Sequence, residues 1–261
     1  MVAYSFDRMK GYVFLNIDSF VVAWEVHCGI LISTNETITN SVRPMSVFEA
    51  SKFRKNHVMW YENELIIDEI RKQNHPSKIS RLTGMYFLED RESALRVTKD
   101  PRWEDKYFDE EFLSEVDLLP SGEITKVDTN WIFENNVMKK HIDKNNMEWI
   151  DKYWKGEPMP TQTPLWELIM EGSAVILNES LKTKSFEIIK NRQPKTLPLL
   201  EKSRIERQRG SQYGHIVSWV MPIEDAKKGK VVYIIKGVEK NQLYFCPDLM
   251  NESFNISVKS S

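Results

Sequence analysis

The stretch LWELIMEGSAVIL, residues 165–177, most limits what this chain can fold into. Two apolar, β-prone runs are separated only by Glu171-Gly172, so the segment reads as two strands joined by a tight turn. A sheet is therefore required here. Other runs have the same character. FVVAWEVHCGILI, residues 20–32, is rich in β-branched and aromatic residues and reads as a strand broken at His27–Gly29. TGMYFLEDRESALRV, residues 83–97, reads as a short strand turning into a helix that opens at Ser93-Ala94. A further strand is expected around 123–127.

Between these runs the period changes. From Ser46, a plausible cap, to about Lys72, the residues Val58, Tyr61, Leu65, Ile66 and Ile70 recur near 3.6-residue spacing, and Asn74-His75-Pro76-Ser77 breaks the helix. EDKYFDEEFLSEVD, residues 104–117, reads as an acidic loop or helix. A short helix opens near Asn145 or Asn146, carries Met147, Ile150 and Trp154 on one side, and ends at Gly156. The Pro-rich EPMPTQTP links it to the strand pair. Past residue 180 a helix is expected, followed by three strands in GHIVSWV, KVVYIIKGV and QLYFC with turns at Gly229 and Asn241. Trp60, Trp149 and Trp154 fall on amphipathic helices and are expected in the core rather than in a base-stacking surface.

With 261 residues the chain can bury one large core, or one core with an appendage. No apolar run approaches the ~20 residues of a membrane span, and MVAYSFDRMKG lacks a signal-peptide core, so the expectation is a cytoplasmic protein with no membrane partner. Cys28 and Cys246 are too few for a disulfide framework and lack metal-ligand spacing, so no metal site is expected. Charge is uneven: residues 181–261 hold 15 Lys and Arg against 8 Asp and Glu, while residues 1–180 hold 21 against 30. Such a tail is either a solvated face or a surface for phosphates or an acidic partner. The chain carries no Gly-rich phosphate loop, no Gly-x-Ser-x-Gly elbow and no His-Glu-x-x-His. Glu89, Asp90 and Glu92 form an acidic turn read as a surface loop rather than a cation site.

Three stretches in order, WEVHCG, GMYFLEDRESA and WELIMEGSAVIL, resemble the three motifs of the ADP-ribosyltransferase-like fold in its diphtheria-toxin and poly-ADP-ribose-polymerase branch. Their separations are about 60 and 80 residues, and the resemblance spans roughly residues 20–180. The N-terminal layout is also similar to that of uncharacterised bacterial and phage proteins. The resemblance implies an α+β fold of split antiparallel sheets with helices over residues 1–180, and leaves unexplained the basic C-terminal extension over 181–261, whose helix and strand runs read as α/β. It implies NAD as co-substrate and a macromolecular acceptor, protein or nucleic acid, in the cytoplasm, or in the host cytoplasm for a phage-encoded chain.

In that frame His27 would hydrogen-bond the adenosine ribose, Gly29 would lie against the carboxamide, and Tyr86 would stack on the nicotinamide ring. Glu167 would hydrogen-bond the ribose 2′-hydroxyl and favour the oxocarbenium-like cation that forms as the glycosidic bond breaks. The family has Gly directly after His. Cys28 intervenes here, which leaves the carboxamide contact to Cys28 or Gly29. Glu171, Glu179 and Glu123 are rivals to Glu167. Arg204, Arg207 and Arg209 would share much of a helical face and dock the acceptor. Two other readings stand beside the enzyme: a non-catalytic binding protein of the same fold, and a nucleic-acid-binding module built on the basic tail.

Overall fold

The structure, a computed structural model, describes residues 9–34, 46–49, 57–103 and 106–192, a few positions between 194 and 205, and the strands 216–221, 230–236, 242–247 and 257–260. It is an α+β protein. Seven strands, β1 (Lys10–Phe14), β2 (Ile30–Ile32), β3 (Met85–Leu88), β4 (Leu113–Pro120), β5 (Thr125–Asp128), β6 (Trp166–Met170) and β7 (Gly172–Ile176), form one sheet in the order β2-β7-β4-β1-β3-β6-β5. Strands β8 (Ile216–Met221), β9 (Lys230–Lys236), β10 (Gln242–Pro247) and β11 (Ser257–Ser260) form a second, four-stranded sheet. Every strand pair among the described residues is antiparallel. The three strands expected near the C-terminus are present, and β11 adds a fourth.

Residues 20–28 are not a strand. They form α1 (Phe20–Cys28), which the strand-forming propensity of Phe20, Val21, Val22 and Trp24 does not prevent, because Val21, Ala23, Trp24 and Val26 are all buried. A helix apolar nearly all round is stabilised by tertiary packing, and that outweighs the few tenths of a kcal/mol per residue of local preference. Gly29 ends it: at φ 78° it adopts the left-handed conformation of a helix terminator, and its N–H returns to the Val26 carbonyl at 3.0 Å. Only Ile30–Ile32 of the expected strand remains extended.

EDKYFDEEFLSEVD is likewise more than an acidic loop, because its second half opens β4. The acidic residues there are matched across the sheet: Tyr12 on β1 stands opposite Glu115 and donates to it at 3.1 Å, and Lys10 also pairs with Glu115. β1 itself, KGYVF, is too short to stand out by periodicity.

The strands on either side of Glu171 do not form a hairpin. β6 pairs with β3 and β5, whereas β7 pairs with β4 and β2. Gly172 diverts the chain. Its φ is 124°, and a Cβ there would lie 2.4 Å from the Leu119 carbonyl oxygen, so only glycine fits. Its N–H donates to Ser33 Oγ at 3.0 Å, and its carbonyl accepts from the Ser33 N–H at 2.9 Å, which pins β7 to the end of β2. β1 holds the two halves of the sheet together and meets β3 at the single pair Tyr12↔Leu88.

Further helices are α2 (Val58–Asn74), α3 (Arg91–Val97), α4 (Asn130–Glu134), α5 (Glu148–Lys155) and α6 (Glu179–Arg192). One core packs Ile67, Trp131, Ile150, Tyr153, Trp154 and Ile169 together, with Trp149 buried among them and Trp60 against its edge, as the helical spacing predicts. A second packs Val26, Phe87, Val116, Met170, Ile176 and Leu181, and brings α1 against α6, and a smaller one gathers Leu88, Ala94, Val97, Leu113 and Leu165. The apolar spacing misassigns the buried face of α2. Val58 and Leu65 are exposed, while Asn63, Glu64, Ile67 and Asp68 are buried.

Candidate active site

The polar face of α2 is buried because charge partners wait beneath it. Ser80 Oγ donates to Asp68 at 2.6 Å, Arg71 donates to the Lys78 carbonyl at 2.8 Å, and the Gly84 N–H returns to the Ser80 carbonyl at 2.9 Å. These bonds fix the 78–84 turn under the helix and drive Arg81 into the interior. Its Nε and Nη2 grip Glu64 at 2.8 and 3.2 Å, and its Nη1 donates to the Tyr153 hydroxyl at 2.6 Å and to Glu167 Oε2 at 3.3 Å. Trp60 Nε1 donates to Glu64 Oε1 at 3.1 Å. The side chain of Glu64 is 0% exposed, that of Arg81 6% and that of Glu167 10%, so the cluster holds two carboxylates and one guanidinium away from water.

β3 and β6 supply the floor. Their register sets Tyr86 opposite Ile169 and Leu88 opposite Glu167, so Tyr86 and Glu167 lie on one face of adjacent strands. The Tyr86 hydroxyl donates to the Arg81 carbonyl. The Tyr86 ring lies 5.2 Å from the Arg81 guanidinium and 5.3 Å from the Phe48 ring, which is tilted 38° to it. The buried cation thus sits among aromatic faces, where cation–π attraction offsets part of its lost hydration.

The electrostatics of the cluster follow from its burial. Burial pushes the Glu167 carboxyl above its ordinary value; Arg81 opposes this and the neighbouring Glu64 adds to it. Burial also raises the Tyr86 and Tyr153 hydroxyls, against the pull of Arg81. Burial alone would lower the Arg81 pKa, but Glu64 and the groups around it hold it well above the ordinary arginine value. Glu64 takes the bidentate grip and Glu167 a single longer contact, so Glu167 is the carboxylate left to act on a ligand or exchange a proton.

Of the residues singled out in the sequence, Tyr86 and Glu167 come together here and His27, Cys28 and Gly29 do not. His27 lies on the last turn of α1, its Nε2 3.1 Å from Glu201 and its ring 4.9 Å from that of Phe186. Cys28 closes α1, and Gly29 faces Lys182 on α6. They precede β2 at one edge of the sheet, with β7, β4 and β1 between β2 and β3. The placement of His27 and Gly29 at a strand end is therefore overturned by α1. Among the rivals, Glu123 is exposed, Glu179 is exposed and paired with Lys182, and Glu171 accepts from Thr83 at the point where β6 and β7 part. Arg204 is paired with Glu201 at 2.9 Å, while Arg207 and Arg209 lie outside the described residues. Asp90 caps α3 through the Ser93 N–H at 2.7 Å and Glu89 pairs with Lys126; no cluster that could hold a metal ion occurs among the described residues. No described helix is long and apolar enough to cross a membrane.

A family model described as "Protein of unknown function (DUF2441)" matches residues 30–191, more than half of the chain. The chain belongs to this family. The matched DUF2441 span contains Glu64, Arg81, Tyr86, Tyr153 and Glu167, and begins after His27, Cys28 and Gly29. No curated protein matches the chain.

Glu64, Arg81 and Tyr153 escaped sequence reasoning. The usable signal was the spacing Trp60, Glu64, Ile67, Asp68, Arg71, which puts an aromatic, two acids and a base on one helical face and calls for a buried cation to match it.

Proposed function

We propose that this DUF2441 protein transfers ADP-ribose from NAD to a macromolecular acceptor, with Glu167 as the catalytic carboxylate. The observation that carries the reading is the convergence of Tyr86 and Glu167, 81 residues apart in sequence, on one face of β3 and β6. The near-division of the sheet at Tyr12↔Leu88 and the parting of β6 from β7 agree with a split-sheet, ADP-ribosyltransferase-like fold. NAD would supply the ribosyl cation equivalent: the nicotinamide–C1′ bond would break, nicotinamide would leave with the bonding pair, and a nucleophilic atom of the acceptor would bond to C1′ and give up its proton to solvent or to Glu167. Glu167 would accept the ribose 2′-hydroxyl and favour positive charge on the sugar, and Tyr86 would flank the nicotinamide once Phe48 gave up its side of the ring. Arg81 positions Glu167 and does not itself touch the sugar. His27, which the resemblance assigns to the adenosine ribose, lies away from this cluster, so that contact would fall to other residues. The reading places the protein in a cytoplasm, its own or that of a phage host, with the basic segment around Arg204, Arg207 and Arg209 docking an acidic acceptor.

The test is transfer from labelled NAD to protein and to nucleic acid in separate reactions, with Glu167→Gln alongside. Transfer or NAD consumption that falls at least ~100-fold in Glu167→Gln, with the fold intact, is expected, because the lost interaction counts most in the transition state. Unchanged turnover in that variant overturns the assignment. A second reading, a non-catalytic binding protein of the same fold, is favoured by the separation of His27 from the cluster and by the cover that Phe48 and Arg81 place on Tyr86. It predicts no NAD consumption by the parent chain.

A further inference from the structure

A cavity of about 210 Å³ opens between the end of α3, the start of α4 and the 157–165 segment, away from the Arg81 cluster, lined by Arg96, Asp100, Arg102, Asn130, Gln162 and Leu165 among others. Its charges are unequal in kind. Arg102 is committed: Nε and Nη2 hold Asp100 at 2.6–3.0 Å, Nη1 donates to Gln162 at 3.0 Å, and Nη2 also donates to Asn130 at 3.1 Å. The guanidinium keeps Asp100 ionised by holding its carboxyl below the ordinary value. Asp100 and Arg102 therefore cancel. The Asn130 and Gln162 amides are already used as well, donating to the Thr163 carbonyl and to Glu134.

Arg96 is different. Its Nη2 donates to the Pro164 carbonyl at 2.7 Å and to Ser93 Oγ at 3.1 Å, both neutral acceptors. Among the described residues its buried Nε has no partner, Nη1 makes no hydrogen bond, and no carboxylate pairs with it. The two neutral bonds hold the guanidinium plane in place between α3 and the 157–165 segment without discharging it. The cavity so presents one net positive charge on a fixed, planar donor, which is the form of site that arginine makes for oxyanions.

We infer that the cavity binds the carboxylate or singly charged phosphate group of a small molecule, with Arg96 as the anchoring cation. The volume admits a small metabolite rather than a bare ion. A doubly charged group would exceed the one uncompensated cation and meet the ionised Asp100 in the wall. The inference does not rest on NAD chemistry, since none of these residues belongs to the Glu167 cluster.

The experiment is a thermal-denaturation and calorimetric titration of the full chain with acetate and with inorganic phosphate, at constant ionic strength against chloride. A ligand that binds only the folded state raises Tm in a saturable way. A saturable rise with either anion is expected, and which anion binds tighter identifies the group. Arg96→Gln should weaken it at least about tenfold, because a charge-assisted pair becomes a neutral one. If Arg96→Gln does not fold, Arg96→Lys keeps the charge but loses the fork, and should still bind the preferred anion measurably more weakly than the parent. Glu167→Gln should bind the anion like the parent. The inference is overturned if neither anion gives a saturable shift, or if the folded Arg96 variant binds with parental affinity.

Discussion

Arg81→Met probes whether the buried cluster is a structural unit with one indispensable cation. The substitution removes the one positive charge that contacts Glu64 and Glu167 among the described residues and leaves two carboxylates out of water. Removing one member of a buried ion pair costs about 3–5 kcal/mol, because the partner keeps its desolvation penalty and loses its compensation. The second carboxylate and the Tyr153 hydroxyl, which loses its donor but stays buried, place the expectation at the upper end of that range. Glu167→Gln acts in the opposite sense. Arg81 keeps its bidentate grip on Glu64, the cluster loses the carboxylate that makes only a 3.3 Å contact, and the amide can still accept that bond. Its cost should lie within about 1 kcal/mol of zero, a neutral hydrogen bond replacing a weak ionic one. The sign with pH follows from the raised Glu167 value. The folded state holds this proton more tightly than the unfolded chain, so the group's contribution to stability is complete below the ordinary value of 4.5 and is lost as pH rises through the folded one. Glu167→Gln therefore gains on the parent as pH rises above that value. Urea unfolding of parent, Arg81→Met and Glu167→Gln from acidic to neutral pH measures all three quantities. A loss under about 1 kcal/mol for Arg81→Met would refute the reasoning, since it would mean that Glu64 and Glu167 are solvated or protonated without help.

Other expectations follow from single sites. Tyr86→Ala should weaken NAD binding by roughly 1–2 kcal/mol through lost stacking while Tyr86→Phe binds NAD nearly as the parent does, and equal affinities in calorimetry would remove the ring from the site. Asp128 accepts the Asn130, Met159 and Leu165 N–H groups at 2.9–3.1 Å, so Asp128→Ala, which orphans three buried donors, should cost about 3 kcal/mol in urea unfolding. Hydrogen bonds from Lys106 and Tyr107, with Arg192 nearby, hold the Asp18 carboxyl down at about 2, so Asp18→Asn should cost about 1–2 kcal/mol at neutral pH after allowance for solvent screening. That difference should disappear as pH falls from 3.8 through about 2, where the parent's carboxylate takes up its proton.

Elements whose stability is written locally were legible in the sequence. α5 ends at Gly156 as its spacing predicts, the β-branched runs after residue 214 are strands, and the Asn74–Ser77 break closes α2. What was illegible depends on partners remote in the chain. The acids at the start of β4 look like a solvated run until Lys10 and Tyr12, more than 100 residues earlier, stand beside them. Residues 20–28 look like a strand because β propensity describes a half-buried pleated surface, whereas α1 is enclosed by the sheet and α6 and so has no wet face.

The candidate site shows the same division and explains it. Tyr86 and Glu167 were found because each sits in a short β run whose neighbours fix its face, and antiparallel pairing of β3 with β6 then brings the two together. Glu64 and Arg81 were missed because apolar periodicity assumes that the buried side of a helix is the apolar one. In α2 that assumption fails: burial of Glu64 and Asp68 is stabilised by Arg81 and Ser80 from the turn that follows the helix and by Arg71 one turn along the helix itself. A helix whose charged residues recur on one face at three- and four-residue spacing, beside a basic turn, should therefore be tested for an internal ion pair before its charges are assigned to solvent. Applied to Trp60, Glu64, Ile67, Asp68 and Arg71, that rule places the polar face of α2 inward and puts a carboxylate beside Glu167. The unequal hold of Arg81 on its two carboxylates then follows from geometry, since the guanidinium turns its Nε and Nη2 edge to Glu64 while Nη1 reaches Tyr153 at 2.6 Å and Glu167 only at 3.3 Å.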